Sequence, residues 1–374
     1  MRSVARRHGV ALSTVQFWVK RAEGKRLDRV DWADHPAGPR RAARRLCADL
    51  EDRILATRQW LMRESDLGEH GAAAIERSLV EHGLSCVPSV RTIGRVLERR
   101  GALDGRRRVR RPAPPKGWHL AGTARQAAEV DCFDIVEGLV IKEGPLVEVL
   151  NVISLFGGLM ESWPCTRITA SLAVKMMIAH WQGAGLPAFA QFDNDTIFQG
   201  AHQWADSFGR VVRLCLALGV TPVFAPPRET GFQAAIENYN GRWQAKVWSR
   251  FTHRDLKQLQ ERSALYVRAA RQRSAERIDN APERRRFPQP WRFDVQRPLR
   301  GRVIYLRRTD EQGQAHLLGH CFPVDRLWPH RLVRCEVELD EQCIRFSALR
   351  RREPEYQPLL AQVQYVPPKR PFKG

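Results

Sequence analysis

The sequence has little that would place it in a membrane or in an oxidising compartment. No run approaches ~18 uninterrupted apolar residues, which excludes a membrane-spanning helix. The opening stretch MRSVARRHGV lacks the apolar core of a secretory signal. Cysteines at 47, 86, 132, 165, 215, 321, 335 and 343 form no CxxC pair and no compact framework, which argues against disulfides and a zinc ribbon. Acidic residues are also short, with 41 Asp+Glu against 62 Lys+Arg and a formal net charge of +21. A soluble, reduced, cytoplasmic protein with a polyanionic partner is expected. Its 374 residues, 43% of them hydrophobic, suffice for two to four domains with packed cores.

The positive charge is segregated. Residues 1–118 carry 26 basic and 14 acidic residues, 119–250 carry 10 and 12, and 251–374 carry 26 and 15. Two basic flanks therefore enclose a slightly acidic middle. Solubility alone gives no reason for such a division, whereas a polyanion-binding protein with a carboxylate centre does.

The N-terminal flank reads as helical. Within SVARRHGVALSTVQFWVKRA (3–22), Gly9 supplies a turn between two helices. Ser13 is the expected N-cap of the second, with Val15, Trp18 and Val19 on one face. This helix-turn-helix segment is bounded at 1–34, and a further helix is expected before Ser3, which makes the segment truncated on this reading. A second helical unit spans 46–104, ending in VPSVRTIGRVLERRG (87–101), capped at Ser89 and stopped at Gly101. Arg91, Arg95 and Arg99 are spaced by four and form one basic stripe, suited to a nucleic-acid groove. The segment 105–119 is a Pro-stiffened basic linker whose Arg107, Arg108 and Arg110 suit phosphate contacts.

The C-terminal flank shows short β-like runs at 301–308, 316–324, 332–340 and 343–349, spaced as in a small antiparallel barrel over 289–352, with a tail at 353–374. His316, His320 and Cys321 offer metal donors there. The two histidines are four apart, a spacing that converges on a helix and not on a strand, so no metal is expected.

The middle, 120–288, alternates strands and helices. Strands are expected at 127–136, 147–154, 159–165, 188–192 and 220–225. Helices are expected at 169–183 and 201–218, and from Gly231 past Trp248. Three acids stand out. Asp131 lies within the first apolar strand, where burying an unpaired carboxylate is costly and a cation is a natural partner. Asp193 ends the fourth strand, where open α/β sheets present ligands. Glu237 lies on the last helix, on a polar face with Gln233, Asn240, Gly241 and Gln244. Asp134 competes with Asp131, because strand residues three apart face opposite sides. Asp131 is favoured as the deeper of the two.

EVDCFD, FDND and IENYNGRWQ, in that order and on those elements, resemble the DDE transposase and retroviral-integrase superfamily, most of all bacterial insertion-sequence transposases. The resemblance covers about 120–250. It implies a multidomain α/β protein with a ribonuclease H-like core, a mixed sheet flanked by helices. It also implies a DNA transposase that nicks element ends and joins them to target DNA with two Mg²⁺ (or Mn²⁺) ions on Asp131, Asp193 and Glu237. Asp134 is the alternate first-strand ligand. Asn194 and Asn240 become supporting residues, and Arg242 and Lys246 candidate DNA contacts. Double-stranded DNA, both terminal repeats and target, and self-association into a dimer or larger oligomer follow as partners, with a nucleoid-associated bacterial location. Two departures stand against the pattern: Asp195 where the family has glycine, and a 44-residue interval from Asp193 to Glu237, which an insertion near 200–210 would explain. A catalytically inactive DNA-binding regulator or accessory protein is the rival reading. A stand-alone RNA–DNA hybrid nuclease fits the basic flanks poorly.

Overall fold

The computed structural model describes residues 1–33, 46–103, 116–120, 127–201, 204–229, 231–351, 353–368 and 371–372. The chain divides into two compact units, Met1–Ile54 and Leu55–Gly374.

In the first unit, α1 (Arg2–His8) and α2 (Leu12–Ala22) are joined through Gly9, whose φ of 61° is the left-handed conformation that closes the helix. The N-cap of α2 is Ala11, without a side-chain bond, so Ser13 lies inside the helix and does not cap it. Leu12, Val15 and Trp18 are half-buried and Trp18 packs on Trp32, whereas Val19, expected on the same face, is exposed.

In the second unit the helical part contains the remainder of α3 (Ala48–Glu64), then α4 (Ala72–Glu81) and α5 (Val90–Arg99). The Ser89 hydroxyl accepts the Thr92 N–H at 3.4 Å, the expected cap. Ile93, Val96 and Leu97 are buried, which turns Arg91, Arg95 and Arg99 outward.

The rest is a large mixed sheet flanked by helices. In chain order come β1 (Val130–Val140), β2 (Leu146–Ser154), β3 (Met160–Cys165), α6 (Ala170–Ala184), β4 (Phe189–Phe192), α7 (Thr196–Gln199), α8 (Arg210–Ala217), β5 (Thr221–Phe224) and α9 (Ala234–Trp243). A π-helical turn, Gln244–Trp248, prolongs α9, and α10 (Leu256–Arg273) and α11 (Ala275–Asp279) follow. Of the helix expected at 201–218 only α8 forms, starting after Gly209, and the short α7 that Asp195 caps ends before that range begins. Then come β6 (Arg302–Arg308), β7 (Gln314–Leu317), β8 (His320–Pro323), β9 (Leu332–Glu338), β10 (Cys343–Ala348) and β11 (Leu359–Gln364).

The strand order is β11-β10-β9-β6-β5-β4-β1-β2-β3, nine strands in one sheet. β1, β4, β5 and β6 are parallel neighbours, and antiparallel strands extend both edges. The C-terminal barrel expected from strand spacing is replaced by this extension, with β7 and β8 as a separate hairpin. The physical reason is the edge of β5, which would otherwise leave backbone groups unpaired. Register Val223↔Ile304 and Phe224↔Tyr305 fills it.

Two apolar layers sandwich the sheet. On one face Phe133, Phe192, Phe224 and Tyr305 meet Trp181 of α6 and Leu214 of α8. On the other, Val130, Cys132, Val136 and Val223 meet Ile236, Tyr239 and Trp243 of α9 and Leu259 of α10. Among the described residues, no helix is long and apolar enough to cross a membrane.

Candidate functional site

The face that α9 covers decides which acids can meet. Side chains alternate along β1, so Val130, Cys132, Asp134 and Val136 share the α9 face, while Asp131, Phe133 and Ile135 look toward α6. Along β4 the same alternation puts Ala190 and Phe192 toward α6 and Gln191 toward α9, where its amide donates to the Phe232 carbonyl at 2.8 Å.

Asp131 is fully buried and its carboxylate is already occupied. It accepts from Trp181 Nε1 at 2.9 Å and from both terminal nitrogens of Arg284, and His180 Nε2 lies 3.7 Å away. Burial acts to raise its pKa, but the Arg284 charge and the His180 contact prevail and hold it down at about 2. The partner that burial demands of this carboxylate is the chain's own guanidinium, where the sequence reading expects a metal ion. Asp131 thus stands apart from Asp193 and Glu237, contrary to expectation.

Asp134 is the first-strand acid that senses the other two. Its carboxyl is pushed up to about 6, first by burial, then by the negative charge of Asp193, with Glu237 adding to it. Bonds from the Ile135 N–H (3.0 Å) and Asn240 Nδ2 (2.6 Å) only partly offset this. Asp193 is also raised, by burial and by the charge of Asp195, although the Asp195 N–H donates to it at 3.0 Å. Glu237 is exposed in the first turn of α9, where the helix dipole favours an anion. The group is open: among the described residues the donor atoms that all lie within 4.8 Å of one another belong to Asp310, His316 and Cys321, not to these carboxylates.

A hydrogen-bonded chain holds Asp134 in place. Tyr239 OH and Ser162 Oγ are 2.6 Å apart, and Ser162 Oγ donates to Asn151 Oδ1 at 2.6 Å. Asn151 Nδ2 donates to Asn240 Oδ1 at 2.8 Å, and Asn240 Nδ2 reaches Asp134. The chain runs through β3, β2 and α9, so it fixes the helix bearing Glu237 against the strand bearing Asp134. Each of its amide groups is buried and satisfied, which makes such a network stiff. Asn240 was expected in a supporting role. Asn151, Ser162 and Tyr239 were missed, although an asparagine inside the apolar run VLNVIS was a visible signal.

Asn194 faces elsewhere. Its Nδ2 donates to the Ala225 carbonyl at 2.7 Å and its Oδ1 accepts from the buried Arg307 at 3.1 Å, which links the ends of β4, β5 and β6. Asp195, the departure from the family pattern, accepts the Ile197 N–H at 2.6 Å and caps α7.

The expected DNA contacts divide. Arg91, Arg95, Arg99 and Arg242 are exposed. Lys246 is committed instead to the protein, donating to the Gly68 carbonyl at 2.8 Å, and its neighbour Arg250 bonds the carbonyls of Met62, Arg63 and Ser65 at the end of α3. Arg250 thereby satisfies carbonyls of the last turn of α3 that have no intrahelical partner, and Lys246 ties down the loop after it. Arg107, Arg108 and Arg110 lie outside the described residues.

No family model and no curated protein matches the chain. Solved structures do show likeness. The catalytic core domain of BIV integrase shares 16% identity over 37% of this chain and 80% of its own, with a TM-score of 0.28. An integrase core from HTLV-2, solved in complex with magnesium, shares 12% over 43% of this chain and 88% of its own, at 0.28. A simian T-cell lymphotropic virus intasome chain, in complex with a PP2A regulatory subunit, shares 13% over 80% of this chain and 95% of its own, at 0.34.

Proposed function

We propose that this chain is a DNA strand transferase of the transposase and integrase kind, with a ribonuclease H-like core in which Asp134, Asp193 and Glu237 hold divalent metal. The observation that carries this reading is the electrostatic coupling at Asp134, pushed up to about 6 by burial and by two further carboxylates. Acids brought together on one face at the end of a sheet repel one another, and a divalent cation turns that repulsion into attraction. The donor set is all carboxylate oxygen, which suits Mg²⁺ or Mn²⁺. When bound, a pair of such ions would supply activation of a water or 3′-hydroxyl and stabilisation of the leaving oxygen.

The chain's own residues orient the site. Asn240 fixes one oxygen of Asp134, the Asp195 N–H fixes one of Asp193, and the first turn of α9 holds Glu237. No covalent bond between protein and DNA is required. The basic flanks supply affinity for double-stranded DNA, with the Arg91, Arg95 and Arg99 stripe a surface for the element ends. Joining two ends to one target favours self-association on DNA.

The test is strand transfer of an oligonucleotide carrying the element's terminal repeat into a supercoiled plasmid with Mg²⁺. Asp193→Asn and Glu237→Gln should each abolish nicking and joining while DNA binding survives. Normal joining by either variant would overturn the assignment.

A further inference from the structure

The β7–β8 hairpin brings together a second donor set of different chemistry. Register pairs His316 directly with Cys321, so both side chains stand on the same face of the ribbon as cross-strand neighbours. Gln314, two residues before His316, shares that face. Asp310, in the turn before β7, accepts the N–H groups of Gln312 (2.9 Å) and Gln314 (2.8 Å) with Oδ1, which leaves Oδ2 aimed at the ribbon. His320 belongs to the opposite face and bonds Asp206 at 2.9 Å, so a trio other than the His316, His320 and Cys321 set considered from the sequence assembles, with Asp310 in place of His320.

The donor atoms converge. His316 Nε2 lies 3.0 Å from Asp310 Oδ2 and 3.7 Å from Cys321 Sγ, and all three fall within 4.8 Å of one another. A tetrahedral zinc ion with ordinary bond lengths separates its nitrogen and oxygen ligands by about 3.3 Å and its nitrogen and sulfur ligands by about 3.6 Å. A Cys-His-Asp proton relay would use both ring nitrogens, one toward each partner. Here a single nitrogen faces both the carboxylate and the sulfur, which is the arrangement of ligands around a common point.

We propose that Asp310, His316 and Cys321 bind a borderline-soft divalent cation, Zn²⁺, with the fourth position taken by solvent, and that Cys321 gives up on binding the hydrogen bond it donates to Gln314 Oε1 at 2.6 Å. Coordination replaces the thiol proton, which leaves to solvent. The ion clips the hairpin to the turn that follows β6. It thereby stiffens one wall of a cavity of about 470 Å³ that His316 and Cys321 line together with Asn194, the residue beside Asp193. The site is independent of the strand-transfer reading, because its donors lie on the β7–β8 hairpin and the turn before it and include a thiolate.

The experiment is titration of the full chain with Zn²⁺ against a chromophoric chelator, and with Co²⁺ followed by absorption. Wild-type protein should bind one tight equivalent of Zn²⁺ and give a thiolate-to-cobalt charge-transfer band. Cys321→Ser and His316→Gln should each lose the band and weaken binding more than about a hundredfold, since losing an outer-shell partner alone weakens it about ten- to a hundredfold. Both side chains are exposed, so folding should survive, as circular dichroism will register. A Cys47→Ser/Cys86→Ser protein, which lacks two other exposed thiols, should keep both signals. Unchanged binding in Cys321→Ser, or no charge-transfer band in wild type, overturns the proposal. Asp193→Asn should leave the signal intact, so failure of the strand-transfer assay and failure of this site are read separately.

Discussion

Asp131 and Asp134 are three residues apart on one strand and have opposite fates. The first sits at about 2 with a guanidinium, an indole N–H and an imidazole around it; the second is pushed up to about 6 by burial and then by carboxylates of its own sign. Burial opposes ionisation in both, so burial does not distinguish them. The difference is the company on each face of the sheet: Asp131 holds the fold through Arg284, whereas Asp134 faces the other acids, where the proposed function puts its metal.

The widest separation between the two should appear in paired substitutions. Asp134→Asn removes a charge from a repelling group, so the protein should stay folded while strand transfer falls by ~10³-fold, the order found when one electrostatic stabiliser of a transition state is lost. Asp131→Asn strands Arg284 and should destabilise by about 3–5 kcal/mol. Urea unfolding and joining assays on the two variants check this, and equal stability with equal activity loss would collapse the distinction.

A smaller effect is expected at Asn240. Asn240→Ala leaves Asn151 without its acceptor and frees Asp134, at a cost of about 1–3 kcal/mol. Activity should drop further than that loss of stability explains at a temperature where the variant is fully folded. If joining tracks folded fraction alone, the chain from Tyr239 to Asp134 only packs the core.

The smallest is a pH signature with opposite signs. Asp134 binds its proton more tightly folded than unfolded, so its contribution to stability is present below about 3.8 and lost as pH climbs through about 6. Asp131 has the reverse relation: its contribution is present above about 3.8 and lost as pH falls toward about 2. Unfolding measured across about pH 3 to 7 should therefore show Asp134→Asn gaining on the wild type as pH rises, and added Mg²⁺ should narrow that gap.

The order of strands and helices in the core was legible because periodicity and caps are local: β2, β3 and α6 fall within a residue or two of the expected bounds. The choice between Asp131 and Asp134 was not legible. Depth in an apolar run is the same signal for a salt-bridged carboxylate as for a metal ligand, and the deciding partner, Arg284, lies 153 residues away. The alternation of the C-terminal strands was equally readable, but alternation does not say which edge a strand joins. Lys246 is a candidate DNA contact only through the resemblance, and tertiary packing shows it bonded to Gly68.

The parallel pairing of β6 on β5 has a consequence for synthesis. About eighty residues separate the two strands, so a chain growing from the ribosome exposes the β5 edge until Arg308 has emerged, and the outer edge of β6 until β9 follows. The nascent sheet therefore carries an open, adhesive border through much of translation. Co-expression of a holdase that covers this border should therefore raise the yield of native full-length chain.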